Sequence, residues 1–166
     1  MFNLTHFNDN NEAQMVDISS KEASERTAKA CGYINMSSEA IQIIASSAAN
    51  KGDILSIARI AAIQAAKQAG FLIPLCQPLA LTHIRVDFAV DLEVSRIKAT
   101  VTTSTEGKAG VEMEALTGVN IALLTIYEML KSVDNSMVIT QIHLEQKSGG
   151  QSGSFVFDDT YGNLNF

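Results

Sequence analysis

The chain contains 166 residues, of which 46% are hydrophobic and 18% are charged, a composition typical of a folded domain with a buried core. Its formal net charge of −6 argues against broad binding to nucleic acids or anionic membranes, so an anionic ligand requires locally clustered cations. No apolar run approaches the roughly 18 residues of a membrane span, and the first residues lack a signal-peptide pattern, so we predict a single cytoplasmic domain over residues 1–166.

The first half of the chain contains one predicted strand and two predicted helices. Alternating apolar side chains over residues 27–36 predict the strand, and residues 37–38 then offer an N-cap for a short helix. Lys51-Gly52 breaks that helix, and Asp53 is a suitable cap for a second one. Because apolar residues cover much of the second helix's circumference, we expect it to pack on more than one side.

The second half contains three predicted strands and the longest helix. Pro74 and Pro78 bracket a loop, which is followed by strands over residues 83–90 and 96–105, a helix from 107–110 to about 133, and a strand over 138–147. This order predicts an α+β, ferredoxin-like fold, in which helices pack on one face of a four-stranded, mainly antiparallel sheet. We expect the ends at residues 1–12 and 157–166 and the glycine-rich loop 148–153 to be mobile.

The cysteines and histidines give no sign of a metal or disulfide framework. Cys31 and Cys76 are too few for such a framework and fit reduced thiols, and the three histidines are far apart without ligand spacing. We therefore predict no metal site and no cofactor.

Two glutamates of the longest helix point in nearly the same direction. Glu114 and Glu128 are 14 positions apart, which leaves them about 40° apart around the helix but roughly 21 Å apart along its axis. One small reacting centre cannot touch both from a single helix. Either they serve different sites, or a second subunit bridges the gap.

Several lysines are candidates for an anion site. Lys51 and Lys108 each lie beside a glycine near a predicted helix start, where free N–H groups receive phosphates, and Lys147 lies at the base of the glycine-rich loop. Glu128 and Lys131 are one helical turn apart, and this spacing favours an ordinary ion pair over an acid–base pair. For Cys76 and Gln77 a tight turn with a buried thiol is favoured, and a substrate-positioning loop is the alternative.

Two long segments carry a family resemblance. Gly110-Val111-Glu112-Met113-Glu114-Ala115-Leu116-Thr117 and Leu124-Thr125-Ile126-Tyr127-Glu128-Met129, with Lys131, closely resemble the MoaC family, the cyclic pyranopterin monophosphate synthases. Shorter matches include Leu4-Thr5-His6, Met15-Val16-Asp17, Ile73-Pro74-Leu75-Cys76 and Lys147-Ser148-Gly149-Gly150. Together they cover about residues 4 to 155.

The resemblance implies a lyase of molybdenum cofactor biosynthesis. Its reaction converts 3′,8-cyclo-7,8-dihydroguanosine 5′-triphosphate into cyclic pyranopterin monophosphate and releases pyrophosphate. It also implies a homohexamer built as a trimer of dimers, with sites at subunit interfaces. By match, the predicted catalytic residues are Lys51, Glu128 and Lys131. The predicted substrate-binding residues are Leu75, Cys76, Gln77, Lys108, Glu112, Met113, Glu114 and Lys147.

Two departures from the family pattern affect this interpretation. Gln77 replaces a histidine, so it keeps hydrogen bonding but cannot carry a proton near neutral pH, and Glu128 replaces an aspartate. An active lyase is the favoured hypothesis, because the lysines and Glu114 persist and electrostatic stabilisation is usually the largest catalytic contribution. The alternative is a catalytically impaired relative that binds the nucleotide or a pathway partner.

Overall fold

A computed structural model describes residues 3–47 and 53–159 of the chain. In order, the elements are β1 (Ser24–Asn35), α1 (Ser38–Ser47), α2 (Ile54–Leu72), β2 (His83–Asp91), β3 (Arg96–Gly107), α3 (Glu112–Leu130), β4 (Val138–Ser148) and β5 (Phe155–Val156). The predicted helix break at Lys51-Gly52 lies outside the described residues, as do residues 160–166 of the end that we predict to be mobile, 157–166.

The strands form one antiparallel sheet in the order β2-β3-β1-β4-β5. The predicted α+β, ferredoxin-like architecture is confirmed, with β1 at the centre of the sheet between β3 and β4. The predicted number of strands is one too few, because β5 adds an edge strand beside β4 through Gln146↔Val156 and Lys147↔Phe155. Two residues are too short a segment to show an alternating pattern in the sequence.

The hydrophobic core lies between the sheet and the two long helices. α3 packs on β1, β3 and β4, and α2 packs on α3 and β2. The buried face of α2 is mostly alanine, and a side chain added at Gly118 of α3 would approach the Ala62 backbone oxygen to 3.3 Å. Small residues therefore let the two helices come close together.

α3 is long and apolar enough to cross a membrane by length and composition. Core helices of soluble proteins have the same length and composition. α3 is a core helix of this fold. Its buried side chains, including Val119, Leu123 and Ile126, belong to the core between α2 and the sheet.

Helix caps explain where two of the helices begin. The Ser37 hydroxyl accepts a hydrogen bond from the Ala40 amide at 3.2 Å, and the Asp53 carboxylate accepts one from the Leu55 amide at 3.0 Å, as predicted. α3 begins at Glu112, later than predicted, because β3 stays paired with β1 as far as Gly107. Lys108 therefore lies in the connection before α3 and not in its first turn.

Gly32 of β1 packs closely against side chains of α3 and β4. A Cβ added there would lie 2.7 Å from Ile142 Cγ1 and 3.0 Å from side-chain carbons of Leu123 and Val119. We predict that Gly32→Ala lowers the free energy of unfolding by about 1–3 kcal/mol, because a buried methyl group forces its neighbours out of position.

Gly107 provides the matched control for this prediction. It is also a strand glycine, but an added Cβ would meet only Thr105 side-chain atoms, at 3.7 and 3.8 Å. Gly107→Ala is expected to change stability by less than about 0.5 kcal/mol. Urea titration at fixed protein concentration measures both variants, and equal losses of stability would contradict the proposed close packing at Gly32.

Candidate functional site

A cleft of about 600 Å³ lies where four segments of the chain meet. These segments are the loop after α2, the start of α3, the loop after β4 and an N-terminal strap, which we define as residues 4–21. The lining residues include Thr5, His6, Val16, Ile18, Lys21, Arg26, residues 73–77, residues 109–113, Lys147, Gly149 and Ser152.

Two carboxylates lie at the start of α3, one lining the cleft and one buried beside it. Glu112 lines it, and Glu114, only 3% exposed, lies beside the Cys76 thiol, whose sulfur is 4.0 Å from Glu114 Oε1. Within residues 3–47 and 53–159, no donor reaches the buried Glu114 Oε2 atom. A buried carboxylate oxygen without a partner is costly, so it needs a particular explanation.

Burial determines the protonation behaviour of this side of the cleft. It raises the pKa of the Glu114 carboxyl, a hydrogen bond from the backbone amide of Glu114 lowers it by less, and the charge of Glu112 raises it again. Burial also raises the pKa of the Cys76 thiol, with further increases from Glu114 and Glu112. Cys76 is therefore held as a neutral thiol, which argues against a thiolate nucleophile.

An ion pair joins the end of β4 to the start of α3. The Lys147 ammonium lies 2.9 Å from Glu112 Oε1, and both side chains are largely buried, with 27% and 28% of their surfaces exposed. The contact fixes the position of the lysine at the base of the glycine-rich loop. It also offsets the negative charge of Glu112.

Two predicted substrate-binding side chains hold the N-terminal strap against the rest of the protein. The Gln77 amide donates a hydrogen bond to the Val16 carbonyl at 2.6 Å, and the Lys108 ammonium donates one to the Ser19 carbonyl at 2.8 Å. Lys108 does not line the cleft, although the neighbouring Ala109 does. Val16 and Ile18 of the anchored strap line the cleft.

Glu128 and Lys131 lie at the opposite end of α3 and do not line the cleft. Their charged atoms are 2.8 Å apart, and the side chains are 67% and 52% exposed, so within one chain they form a surface ion pair. Lys51, the third predicted catalytic residue, lies outside the described residues. The structure thus brings together Leu75, Cys76, Gln77, Glu112, Met113, Glu114 and Lys147.

Arg26 is a cleft residue that sequence reasoning did not find. It is 9% exposed and lines the cleft beside Lys147. The sequence does contain an indication of its burial, because position 26 alternates in phase with the core-facing residues Ala28 and Ala30 of β1. A charged residue at a core-facing strand position is rare and requires partners.

Within the part of the chain that the structure describes, no group of three or more His, Cys, Asp or Glu side chains is arranged to hold a metal ion. The chemistry available in the cleft is therefore that of carboxylates, ammonium groups, a guanidinium group and hydrogen-bonding amides. Such groups bind anions, accept hydrogen bonds from N–H groups and exchange protons.

Comparison with known proteins gives a consistent assignment. The sequence model of the MoaC family matches residues 15–150. A cyclic pyranopterin monophosphate synthase of Clostridium perfringens (strain 13 / Type A) is 51% identical over 154 residues, covering 93% of this chain and 98% of the relative. A protein of the same name from Roseiflexus sp. (strain RS-1) is 49% identical over 158 residues, covering 95% and 100%. The chain belongs to the MoaC family.

Proposed function

We propose that this chain is a cyclic pyranopterin monophosphate synthase of molybdenum cofactor biosynthesis. It converts 3′,8-cyclo-7,8-dihydroguanosine 5′-triphosphate into cyclic pyranopterin monophosphate and releases pyrophosphate. Relatives of that name align along nearly its whole length. The observation that carries the proposal is Glu114, a buried carboxylate beside the cleft with a raised pKa and an unpaired oxygen.

The acidic side of the cleft suits the purine-derived part of the substrate. Its ring N–H groups are hydrogen-bond donors, and Glu114 Oε2 is an acceptor that has no donor among the described residues. A carboxyl group with a raised pKa also holds and releases a proton closer to neutral pH than an ordinary glutamate. Glu114 can therefore both orient the ring system and exchange a proton with it during rearrangement.

The reaction also requires cations near the triphosphate. Formation of a cyclic monophosphate breaks the bond between the α-phosphate and the leaving pyrophosphate, so negative charge develops on the leaving group. Lysine side chains stabilise that charge. We assign this role to Lys51 and Lys131, with Lys147 assisting within the cleft, and the catalytic acid role to Glu128.

These assignments require two chains. Glu114 and Lys131 lie near opposite ends of one continuous helix, α3. We therefore propose that Glu128 and Lys131 of one subunit enter the cleft of another, within a cytoplasmic homohexamer arranged as a trimer of dimers. Light scattering tests the assembly directly, since the hexamer contains six copies of a 17.8 kDa chain.

Subunit complementation tests the two-chain site. We predict that Glu114→Gln and Lys131→Ala each lower lyase activity by at least about 100-fold. When the two variants are mixed 1:1 and refolded together, subunits assemble at random. About a quarter of the sites then combine an intact Glu114 cleft with an intact Lys131 from another chain, so we expect lyase activity to return to about a quarter of that of the unmodified protein. Pyrophosphate release measures the recovery.

A second mixture provides the control. Glu114→Gln and Lys147→Ala both damage the same cleft of the same chain, so their mixture contains no intact site and stays inactive. If the mixture of Glu114→Gln with Lys131→Ala also stays inactive while the single variants remain folded hexamers, the two-chain site is wrong.

Direct turnover decides between the active enzyme and the impaired relative. We predict that the purified protein converts the cyclised GTP intermediate into pyrophosphate and a product whose fluorescent pterin derivative is measurable. Gln77→His is expected to change the rate by less than about 10-fold, because the Gln77 amide acts as a hydrogen-bond donor to Val16 and a neutral imidazole is also a donor. Absence of product, restored by Gln77→His combined with Glu128→Asp, would establish a non-catalytic nucleotide-binding relative.

Glu114 also links stability to pH. Its pKa in the folded protein is raised above the ordinary value of 4.5, so the folded state binds more protons and stability falls as pH rises through this window. We predict that Glu114→Gln raises the free energy of unfolding at pH 7–8 by on the order of 1 kcal/mol, and that the gain disappears below pH 4.5. Urea titrations across this range measure it.

The exposed Glu106 is the matched control, because Glu106→Gln removes a solvated carboxylate near the end of β3. Its effect on stability is expected to stay within about 0.5 kcal/mol at every pH. A Glu114→Gln variant less stable than the original protein at pH 8 would show that the ionised Glu114 has a stabilising partner in the assembled protein.

A further inference from the structure

Asp134 is a buried carboxylate that lies outside the cleft. It is 8% exposed and belongs to the turn that leads from the end of α3 into β4. In the described ranges, no lysine, arginine or histidine nitrogen lies within 4.0 Å of its carboxylate. Removal of a carboxylate from water is costly unless an opposite charge or several hydrogen bonds compensate it. Hydrogen bonds must therefore stabilise Asp134 in this position.

Three donors stabilise this carboxylate and connect two distant segments of the chain. Oδ1 accepts hydrogen bonds from the Ser136 amide at 2.8 Å and the Ser136 hydroxyl at 2.6 Å, within the turn after α3. Oδ2 accepts one from the Ser37 amide at 2.8 Å, just before α1. These bonds, chiefly that of the Ser136 hydroxyl and then that of the Ser37 amide, lower the pKa of the Asp134 carboxyl. The ionised carboxylate therefore ties the end of α3 to the start of α1.

The segment that contains the Ser37 amide is itself fixed. The neighbouring Met36 amide donates to the Ser95 carbonyl at 2.9 Å, and the Ser37 hydroxyl caps α1. Ile41 of α1 is 1% exposed and belongs to the hydrophobic core. Because Ser37 is anchored in this way, its bond to Asp134 limits the movement of the turn after α3.

This turn begins at Lys131, the proposed catalytic lysine. Lys131 directly follows Leu130, whose carbonyl accepts a hydrogen bond from the Asp134 amide at 3.1 Å. The Tyr127 hydroxyl closes the turn from the helix side by donating to the Asn135 carbonyl at 2.8 Å. Helix ends without such bonds fray, since their last carbonyls have no partner within the helix. The Lys131 backbone is therefore held between two anchored points.

The Lys131 side chain, in contrast, has little support of its own. It is 52% exposed, and among the described residues its ammonium pairs only with Glu128, which is 67% exposed. An exposed ion pair of this kind contributes little free energy and does not fix a geometry. The location of both charged groups therefore depends on the backbone at the end of α3, which Asp134 holds in place.

We propose that Asp134 is a positioning residue of the lyase reaction and sets the position from which Lys131 and Glu128 enter the cleft of the partner subunit. The proposal rests on the proposed function and its two-chain site. Asp134 itself contacts no reacting group. Misplacement of a catalytic group on the order of 1 Å can cost about 100-fold in rate. Loss of the Asp134 bonds is therefore expected to slow the chemical step and to affect substrate binding much less.

Steady-state kinetics of Asp134→Asn tests this role. Asparagine has the same shape but replaces one acceptor oxygen by an amide donor, so a bond to Ser37 or Ser136 is lost. We expect kcat to fall at least about 10-fold and KM to change by less than about 3-fold. Light scattering verifies that the variant assembles as the unmodified protein does.

Asp91→Asn is the matched control. Asp91 also stabilises a turn, between β2 and β3, by accepting from the amides of Glu93 at 3.1 Å and Val94 at 3.3 Å, and it does not line the cleft. Its kcat is expected to stay within about 2-fold of the original value. Tyr127→Phe covers the case in which Asp134→Asn does not fold, because it removes the second tie of the same turn. It is expected to lower kcat at least about 3-fold with little change in KM.

Subunit complementation separates positioning of Lys131 from general damage to the subunit. Asp134→Asn keeps an intact Glu114 cleft, so a refolded 1:1 mixture with Glu114→Gln should reach about a quarter of the unmodified activity. A mixture with Lys131→Ala should stay below the activity of Asp134→Asn alone, because both changes affect the same end of α3.

Two results would overturn the positioning role. One is an unchanged kcat in folded, assembled Asp134→Asn. The other is failure of Asp134→Asn to restore Glu114→Gln in a mixture where Lys131→Ala does restore it, which would indicate damage to the variant's own cleft. Absence of turnover by the unmodified protein is a different outcome, since it overturns the proposed function and the positioning role with it.

Discussion

The packing of α3 against β1, β3 and β4 determines where the parts of the candidate site lie. Gly32 on β1 and Gly118 on α3 allow the close approach, since an added Cβ at either position would press on neighbouring atoms. The start of α3 then places Glu112 and Glu114 against the cleft, while its rigid length carries Glu128 and Lys131 away from it. The position of α3 therefore both stabilises the fold and separates the charged residues at its start from those at its end.

Charges of both signs meet at the cleft of a protein that is acidic overall. Glu112, Lys21, Arg26 and Lys147 line the cleft, and the buried Glu114 lies beside Cys76 in its wall. Lys147 is neutralised by Glu112, whereas Arg26 and Glu114 remain without charged partners among the described residues. Buried groups of this kind are energetically unfavourable unless hydrogen bonds or an opposite charge compensate them, which marks both residues as functional candidates.

The main elements could be predicted from the sequence because they repeat a local rule. Alternation predicted β1 to β4, and the cap at Asp53 predicted the start of α2. β5 and the late start of α3 depend on pairing with distant strands, so no local pattern predicted them. The same limit applies to the site. Motif matches identified the residues of α3 and of the loop after α2, but the contacts of the strap and the burial of Arg26 are long-range consequences of folding.

The positions of the two family departures indicate why they are compatible with activity. Gln77 uses its amide to hold the strap through the Val16 carbonyl, a role that requires a neutral donor and not a proton carrier. Glu128 is exposed and lies on the last turn of α3, where an extra methylene group is not confined by packing within the chain. Its carboxylate already reaches Lys131 at 2.8 Å, so the longer side chain keeps the ion pair with this lysine. The two substitutions therefore affect strap attachment and side-chain reach, while the buried Glu114 agrees with the family pattern.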